Sequence, residues 1–208
     1  MIHGHYQPGF SPLNRSHGRF PKVLGIIISD VLLKVKGISK TSRKNRKRRY
    51  NTSMKPEEKI IQKLIQKQKT LTIAESCTGG LLAARLTDVP GASDVFKLGV
   101  ITYSNDAKIH ILNVPAKVIQ KKGAVSDEVA TIMARNARQI HNTDFGIGIT
   151  GIAGPGGGTK SKPVGLVFVA VATDWETLCI KCQFEGTRAQ IRLQAVKQAI
   201  KLLLEFLE

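Results

Sequence analysis

At 208 residues the chain can bury one good core with little to spare. Its net charge of +17 suggests an acidic partner, yet the excess is unevenly placed. Residues 1–53 hold 12 Lys/Arg against one acid, Asp30, and residues 54–208 carry only +6. Three cysteines make no disulfide framework and suit a reducing, cytoplasmic setting, and no apolar run reaches the roughly 18–20 residues that a membrane span needs.

Residues 1–53 differ in composition from everything that follows. Gly, Pro, His and Ser come first, then Arg43-Lys-Asn-Arg-Lys-Arg-Arg49. The favoured reading is a disordered extension, or a start assigned too far upstream, because so polar and basic a segment cannot bury a core. A nucleic-acid-binding arm and an organelle transit peptide are the competing readings, and nucleic-acid contact would be confined to residues 43–49. The apolar run Val23–Leu33 is broken by Asp30 and lacks a small-residue cleavage site, which argues against a secretory signal.

From Met54 the pattern becomes regular. Pro56-Glu-Glu starts a helix, with Pro in its first turn and acids at the positive end of its dipole. A strand at 70–75 leads through Ser76-Cys-Thr-Gly-Gly80 into a helix reaching about Asp88. Pro90-Gly91 turns the chain. Phe96–Tyr103 reads as a strand, Asn105–Leu112 as a short helix, and Pro115 opens another through Lys121. Gly123 breaks it, and Ser126 caps a longer helix through about His141, with Asp127 and Glu128 in its first turn. Thr143–Thr150 is a strand that ends in the glycine loop 151–158. Val164–Thr173 and Glu176–Phe184 are two strands joined by a tight turn, and a final helix runs from about Thr187 to Leu207. Strands alternating with helices, with an antiparallel pair late in the chain, predict an α/β layered domain. Cys179 and Cys182 have C-x-x-C spacing but no second Cys or His pair, and the strand reading is favoured over a metal site.

Three segments look like parts of a site. Ser76, Ser93, Tyr103 and Thr150 fall at or just beyond strand ends, where α/β sheets bind ligands, although most hydroxyls only cap helices or satisfy turns. The free N–H groups after Ser76 and Thr78 could hold an anion at a helix start. A serine nucleophile needs a proton acceptor, and no histidine is well placed. Lys108, five residues after Tyr103, could act as the base if burial took its proton, with the Tyr hydroxyl as relay; the alternative is an exposed helix lysine. The loop Gly151–Gly158 lacks the Lys-Ser/Thr of a P-loop and has no prompt helix, so it is either a phosphate- or carboxamide-approaching loop or a plain connection. Arg188, at the start of the final helix, is either an anion ligand or a solvated side chain.

Taken together, Ala74-Glu-Ser-Cys-Thr-Gly-Gly80, Val100-Ile-Thr-Tyr-Ser-Asn-Asp-Ala-Lys108, Gly123-Ala-Val-Ser126, Thr150-Gly-Ile-Ala-Gly-Pro155, Lys162-Pro-Val-Gly165 and Gly186-Thr-Arg188 resemble the CinA C-terminal family, the nicotinamide mononucleotide deamidases. The resemblance covers residues 54–208 and leaves 1–53 without a counterpart. It implies a three-layer α/β/α sandwich with a mixed sheet. The implied reaction is hydrolysis of nicotinamide mononucleotide to nicotinate mononucleotide and ammonia, a step in pyridine-nucleotide recycling. On the matching positions it implies Ser93 as nucleophile, activated by Tyr103 and Lys108. Ser76, Thr78, Gly79, Thr150, Gly151 and Arg188 become substrate-binding residues. The strand-to-helix turn keeps Ser76 as a second candidate for the nucleophile. We expect a small-molecule nucleotide substrate, no metal or other cofactor, a homo-oligomer and no membrane partner. The rival reading is a non-catalytic nucleotide-sensing or nucleic-acid-associated protein that works through its basic arm.

Overall fold

The computed structural model describes residues 54–208; the basic arm and its 43–49 cluster lie outside the described residues. Twelve elements follow in order: α1 (Pro56–Lys67), β1 (Leu71–Glu75), α2 (Leu81–Thr87), α3 (Ala92–Val95), β2 (Phe96–Ile101), α4 (Asn105–Leu112), α5 (Ala116–Lys122), α6 (Asp127–Ile140), β3 (Phe145–Gly151), β4 (Leu166–Ala172), β5 (Thr177–Gln183) and α7 (Arg188–Leu207). The Ser126 cap is the one the sequence announces. Ser126 Oγ accepts from Val129 N, and Thr187 forms a capping box with Gln190 at the head of α7.

The strands form one mixed sheet in the order β2-β1-β3-β4-β5. β1 runs parallel to β2 and β3, while β4 and β5 add antiparallel partners. Side chains alternate across a strand, and here the two faces differ in size. Leu71, Ile73, Phe145, Ile147, Ile149, Val167, Val169 and Val171 pack under α1, α2, α3 and α7. The other face presents Ala74 on β1, Gly146 and Gly148 on β3, and Ala170 and Ala172 on β4, beneath α4, α5 and α6. These two faces make the three layers of an α/β/α sandwich.

The small residues on the second face bring α6 close to the sheet. A Cβ at Gly146 would run into the carbonyl of Ala134, and one at Gly148 into that of Ala130. Ala130, Ala134 and Ala137 form the facing stripe of α6. Glycine on the strand and alanine on the helix therefore set the spacing of this layer.

Cys179 pairs with Ala170 across β4–β5 and Cys182 with Val167, and those two positions face opposite sides of the sheet. The two thiols point apart, so the C-x-x-C spacing is a strand feature and not a chelating pair. All three cysteines are free. Among the described residues no helix is long and apolar enough to cross a membrane.

Candidate active site

Alternation along β1 places Thr72 and Ala74 on the α4–α6 side, and carrying it two residues further turns Ser76 the same way. Carrying β2 onward does likewise for Thr102, whose N–H donates to Glu75 O at 2.9 Å. The chain then enters α4, capped by Ser104 Oγ on Ala107 N, and its first full turn delivers Lys108 into that space. Lys108 Nζ lies 3.0 Å from Ser76 Oγ and donates to Thr102 O at 2.8 Å. Lys108 is 2% exposed and Ser76 7% exposed. Among the described residues no carboxylate pairs with this lysine. Burial pushes the Lys108 amine below the ordinary lysine range, because an ammonium loses its hydration there; the neighbouring Cys77 opposes this weakly. Burial also raises the Cys77 thiol to about 11, so it stays protonated at neutral pH.

The structure does not bring Ser93, the nucleophile implied by the resemblance, to this pair. Ser93 is exposed, lies in α3, and comes before β2 begins. It therefore belongs to the opposite edge of the sheet, about 20 Å away along a strand of that length. Ser76 and Lys108 meet at the edge where β1, β2 and β3 end.

Tyr103 also differs from the expected relay. It is 60% exposed, and its hydroxyl accepts from Arg188 Nη2 at 2.7 Å and makes no bond to Lys108. Arg188 Nη1 donates to Gly154 O at 2.7 Å, so this arginine joins the segment after β2 to the glycine loop. Thr150 is buried at the end of β3 and donates to Ala124 O at 2.9 Å; its proton is already committed there. Gly151 is needed for packing, since a Cβ would collide with Val167 and Leu166 O. Gly79 adopts φ +59°, a left-handed conformation that favours glycine, and lies beside Arg192 Nη2.

The anion site expected at the start of α2 is already filled. Glu75, 1% exposed, points to the other face and its carboxylate accepts from Gly80 N, Leu82 N and Ala83 N at 3.0, 3.2 and 2.9 Å. The protein thus supplies its own negative charge to that helix end. Thr78 is fully buried, and its Oγ1 and that of Thr102 have no hydrogen-bond partner among the described residues. Two residues escaped sequence reading. Glu75 carried the signal of an acid closing a buried strand before a Gly-Gly helix start. Arg192 lies one turn beyond Arg188 on α7 and donates to Cys77 O and Thr78 O. A hollow of about 170 Å³ lined by Arg135, Arg138 and Trp175 lies at the opposite edge, by the β4–β5 turn, and holds none of the candidate residues. Among the described residues no group of three or more His, Cys, Asp or Glu side chains could hold a metal ion.

Fold and site define a class: a layered α/β/α domain with a buried serine–lysine pair at the carboxyl edge of its parallel strands. The chain belongs to the CinA C-terminal domain family, whose model matches residues 53–207. A competence-damage inducible protein of Thermoanaerobacter sp. (strain X514) is 51% identical over 151 residues, 72% of this chain. The match spans only 37% of that relative's length. A CinA-like protein of Desulfovibrio desulfuricans is 56% identical over 113 residues, 54% of this chain and 27% of its own. Among solved structures, the competence/damage inducible protein CihA of Agrobacterium tumefaciens superposes with a TM-score of 0.70 at 36% identity. That match covers 74% of this chain and 98% of the other. A CinA superfamily protein of Escherichia coli gives 0.70 at 34% identity, covering 73% and 88%.

Proposed function

We propose that the chain is an amidohydrolase that converts nicotinamide mononucleotide to nicotinate mononucleotide and ammonia, with Ser76 as nucleophile and Lys108 as its base. The observation that carries this reading is the buried Lys108 Nζ, 3.0 Å from Ser76 Oγ with no carboxylate beside it among the described residues. An isolated buried ammonium is costly, and the amine sheds that cost by losing a proton. Its lone pair then faces the Ser76 hydroxyl, while the Thr102 carbonyl still receives an N–H and fixes the amine's orientation.

In the reaction, Ser76 Oγ attacks the carboxamide carbon and passes its proton to Lys108 Nζ. The tetrahedral adduct collapses, the C–N bond breaks, and Lys108 returns the proton to the departing nitrogen, releasing ammonia. Water then attacks the ester carbon and gives a proton to Lys108. The acyl–oxygen bond breaks, Ser76 recovers its proton, and the carboxylate leaves. Arg188, held at the site mouth by Tyr103 and Gly154, is the cation for the substrate phosphate. Tyr103 serves as that arginine's partner and a wall of the mouth. Family membership and the shared motifs support the nucleotide substrate.

The test is ammonia release from nicotinamide mononucleotide by the purified chain, before and after exhaustive chelation. Turnover should survive chelation, and removal of residues 1–53 should change it less than tenfold. No ammonia from the intact chain, or a loss with chelator that zinc restores, would overturn the reading.

A further inference from the structure

Following the backbone N–H groups through the nucleophile turn leaves two without acceptors. Ser76 N donates to Ile149 O, Gly79 N to Ser76 O and Leu81 N to Thr78 O, at 3.0, 3.0 and 3.3 Å. Gly80 N and Leu82 N go to Glu75. Among the described residues Cys77 N and Thr78 N have no oxygen acceptor, although both residues are buried. Buried N–H groups are nearly always paired. Two unpaired donors directly after a serine aligned with a base form the arrangement that stabilises an oxyanion.

Their carbonyls, by contrast, are held. Arg192 Nε donates to Cys77 O at 3.2 Å and Arg192 Nη2 to Thr78 O at 2.6 Å. Across a trans peptide the N–H points opposite to the C=O. Holding Cys77 O toward α7 therefore turns Thr78 N–H away from α7. A cation on the carbonyl oxygen also polarises the same peptide and makes its N–H a stronger donor. Gly79, at φ +59°, takes the left-handed turn that follows these two held carbonyls.

We propose that Arg192 is a positioning residue that fixes and polarises the Cys77–Thr78 peptide, so that its N–H, with that of Cys77, receives the oxyanion formed when Ser76 attacks. This rests on the serine-nucleophile reading above. Arg192 does not touch substrate; it acts through the peptide. A donor aimed only at the oxyanion strengthens in the transition state, so its loss lowers kcat and leaves KM nearly alone.

Two rates test this on the full chain. One is nicotinamide mononucleotide turnover. The other is phosphonylation of Ser76 by an alkyl fluorophosphonate, followed by intact mass. In that step the Oγ–P bond forms, the P–F bond breaks, fluoride leaves and the serine proton passes to Lys108. Arg192→Ala should lower kcat by about 10–100-fold with KM within about threefold, and slow phosphonylation comparably. Added guanidinium ion should restore part of both rates, and Arg192→Lys should fall between. The proposal is overturned if both rates stay within twofold of wild type or if only KM rises. It is also overturned if guanidinium restores nothing while Arg192→Lys is as slow as Arg192→Ala. A wild type that is phosphonylated but releases no ammonia refutes the substrate reading alone, and the phosphonylation rates still decide the role of Arg192. A wild type that does neither refutes both.

Discussion

The two edges of the parallel strands carry similar residues and do different things with them. At the amino edge Lys69, Thr70 and Asp144 meet, and Ser93 stands in solvent. Lys69 Nζ reaches Asp144 at 2.8 Å, and Thr70 gives the same carboxylate its N–H and hydroxyl at 2.8 and 2.9 Å. This lysine is paired and half exposed, so it stays an ammonium and ties strands together. At the carboxyl edge Lys108 is buried with a hydroxyl and a carbonyl for company. One lysine is a paired, structural cation and the other a buried amine whose charged form burial disfavours; burial and the lack of a carboxylate partner among the described residues make the difference.

The largest expected effect separates the two serines. Ser76→Ala should abolish amide hydrolysis, by at least about 10³-fold, whereas Ser93→Ala should stay within twofold of wild type. Reversal of that order in a steady-state ammonia assay would return the nucleophile to the amino edge.

Next comes the lysine itself. Folded Lys108→Met and Lys108→Arg should each lose about 10²–10⁴-fold in single-turnover rate, the latter because guanidinium cannot accept a proton. Wild-type activity should rise with pH as the ammonium deprotonates. Stability follows with a worked sign. The folded-state amine titrates lower than in the unfolded chain, so the unfolded state binds more protons between the two values. Wild type should therefore gain stability relative to Lys108→Met as pH rises through that window, and be at its relative worst below it. Urea midpoints across the pH range for both proteins check this; parallel curves would mean a lysine charged throughout.

A smaller effect concerns the site mouth. Nicotinamide riboside, lacking the phosphate, should be the poorer substrate, since a charge-assisted contact is worth roughly 1.5–3 kcal/mol. Arg188→Ala should narrow the gap between the two compounds in kcat/KM. Equal efficiency on both by wild type would remove Arg188 from phosphate binding.

Smallest is the control at the amino edge. Asp144 is pulled in two directions: burial raises its pKa, while hydrogen bonds from Lys69 and Thr70 and the Lys69 charge lower it, and the lowering wins. Its contribution is present above the unfolded carboxyl pKa and lost as pH falls through the folded value. Asp144→Ala should cost about 1–3 kcal/mol near neutral pH, less in acid, with amide hydrolysis retained in the folded protein. A loss of turnover without a loss of stability would break the division between the edges.

Much of the fold was legible because it rests on local rules. Periodicity, Pro56 and Ser126 place the helices, and β1 and β3 fall within two residues of where alternation and glycine put them. Spacing from Tyr103 left Lys108 open as a buried base or an exposed helix lysine, and the structure buries it beside a serine. Strand direction is what separates the two candidate serines. Ser93 precedes its strand and Ser76 follows its own, and in a parallel sheet that alone sends them to opposite edges. Period-two alternation through Ala74 would also have aimed Ser76 at α4. Other features depend on tertiary packing. Nothing local tells Glu75 that three N–H groups of the next helix will surround it, or Arg192 that the 77–78 carbonyls will lie within reach of α7.

The contact between β3 and α6 has a mechanical meaning. Where Gly146 and Gly148 meet the carbonyls of Ala134 and Ala130, the two elements touch backbone to backbone, with no side chain between them to change rotamer and take up slack. A displacement at one end of such a seam is delivered undamped to the other. Ala124, just ahead of α6, is latched to Thr150 at the end of β3. The floor of the site is thus a strut, and what give there is must come from α7 and the glycine loop on its far side.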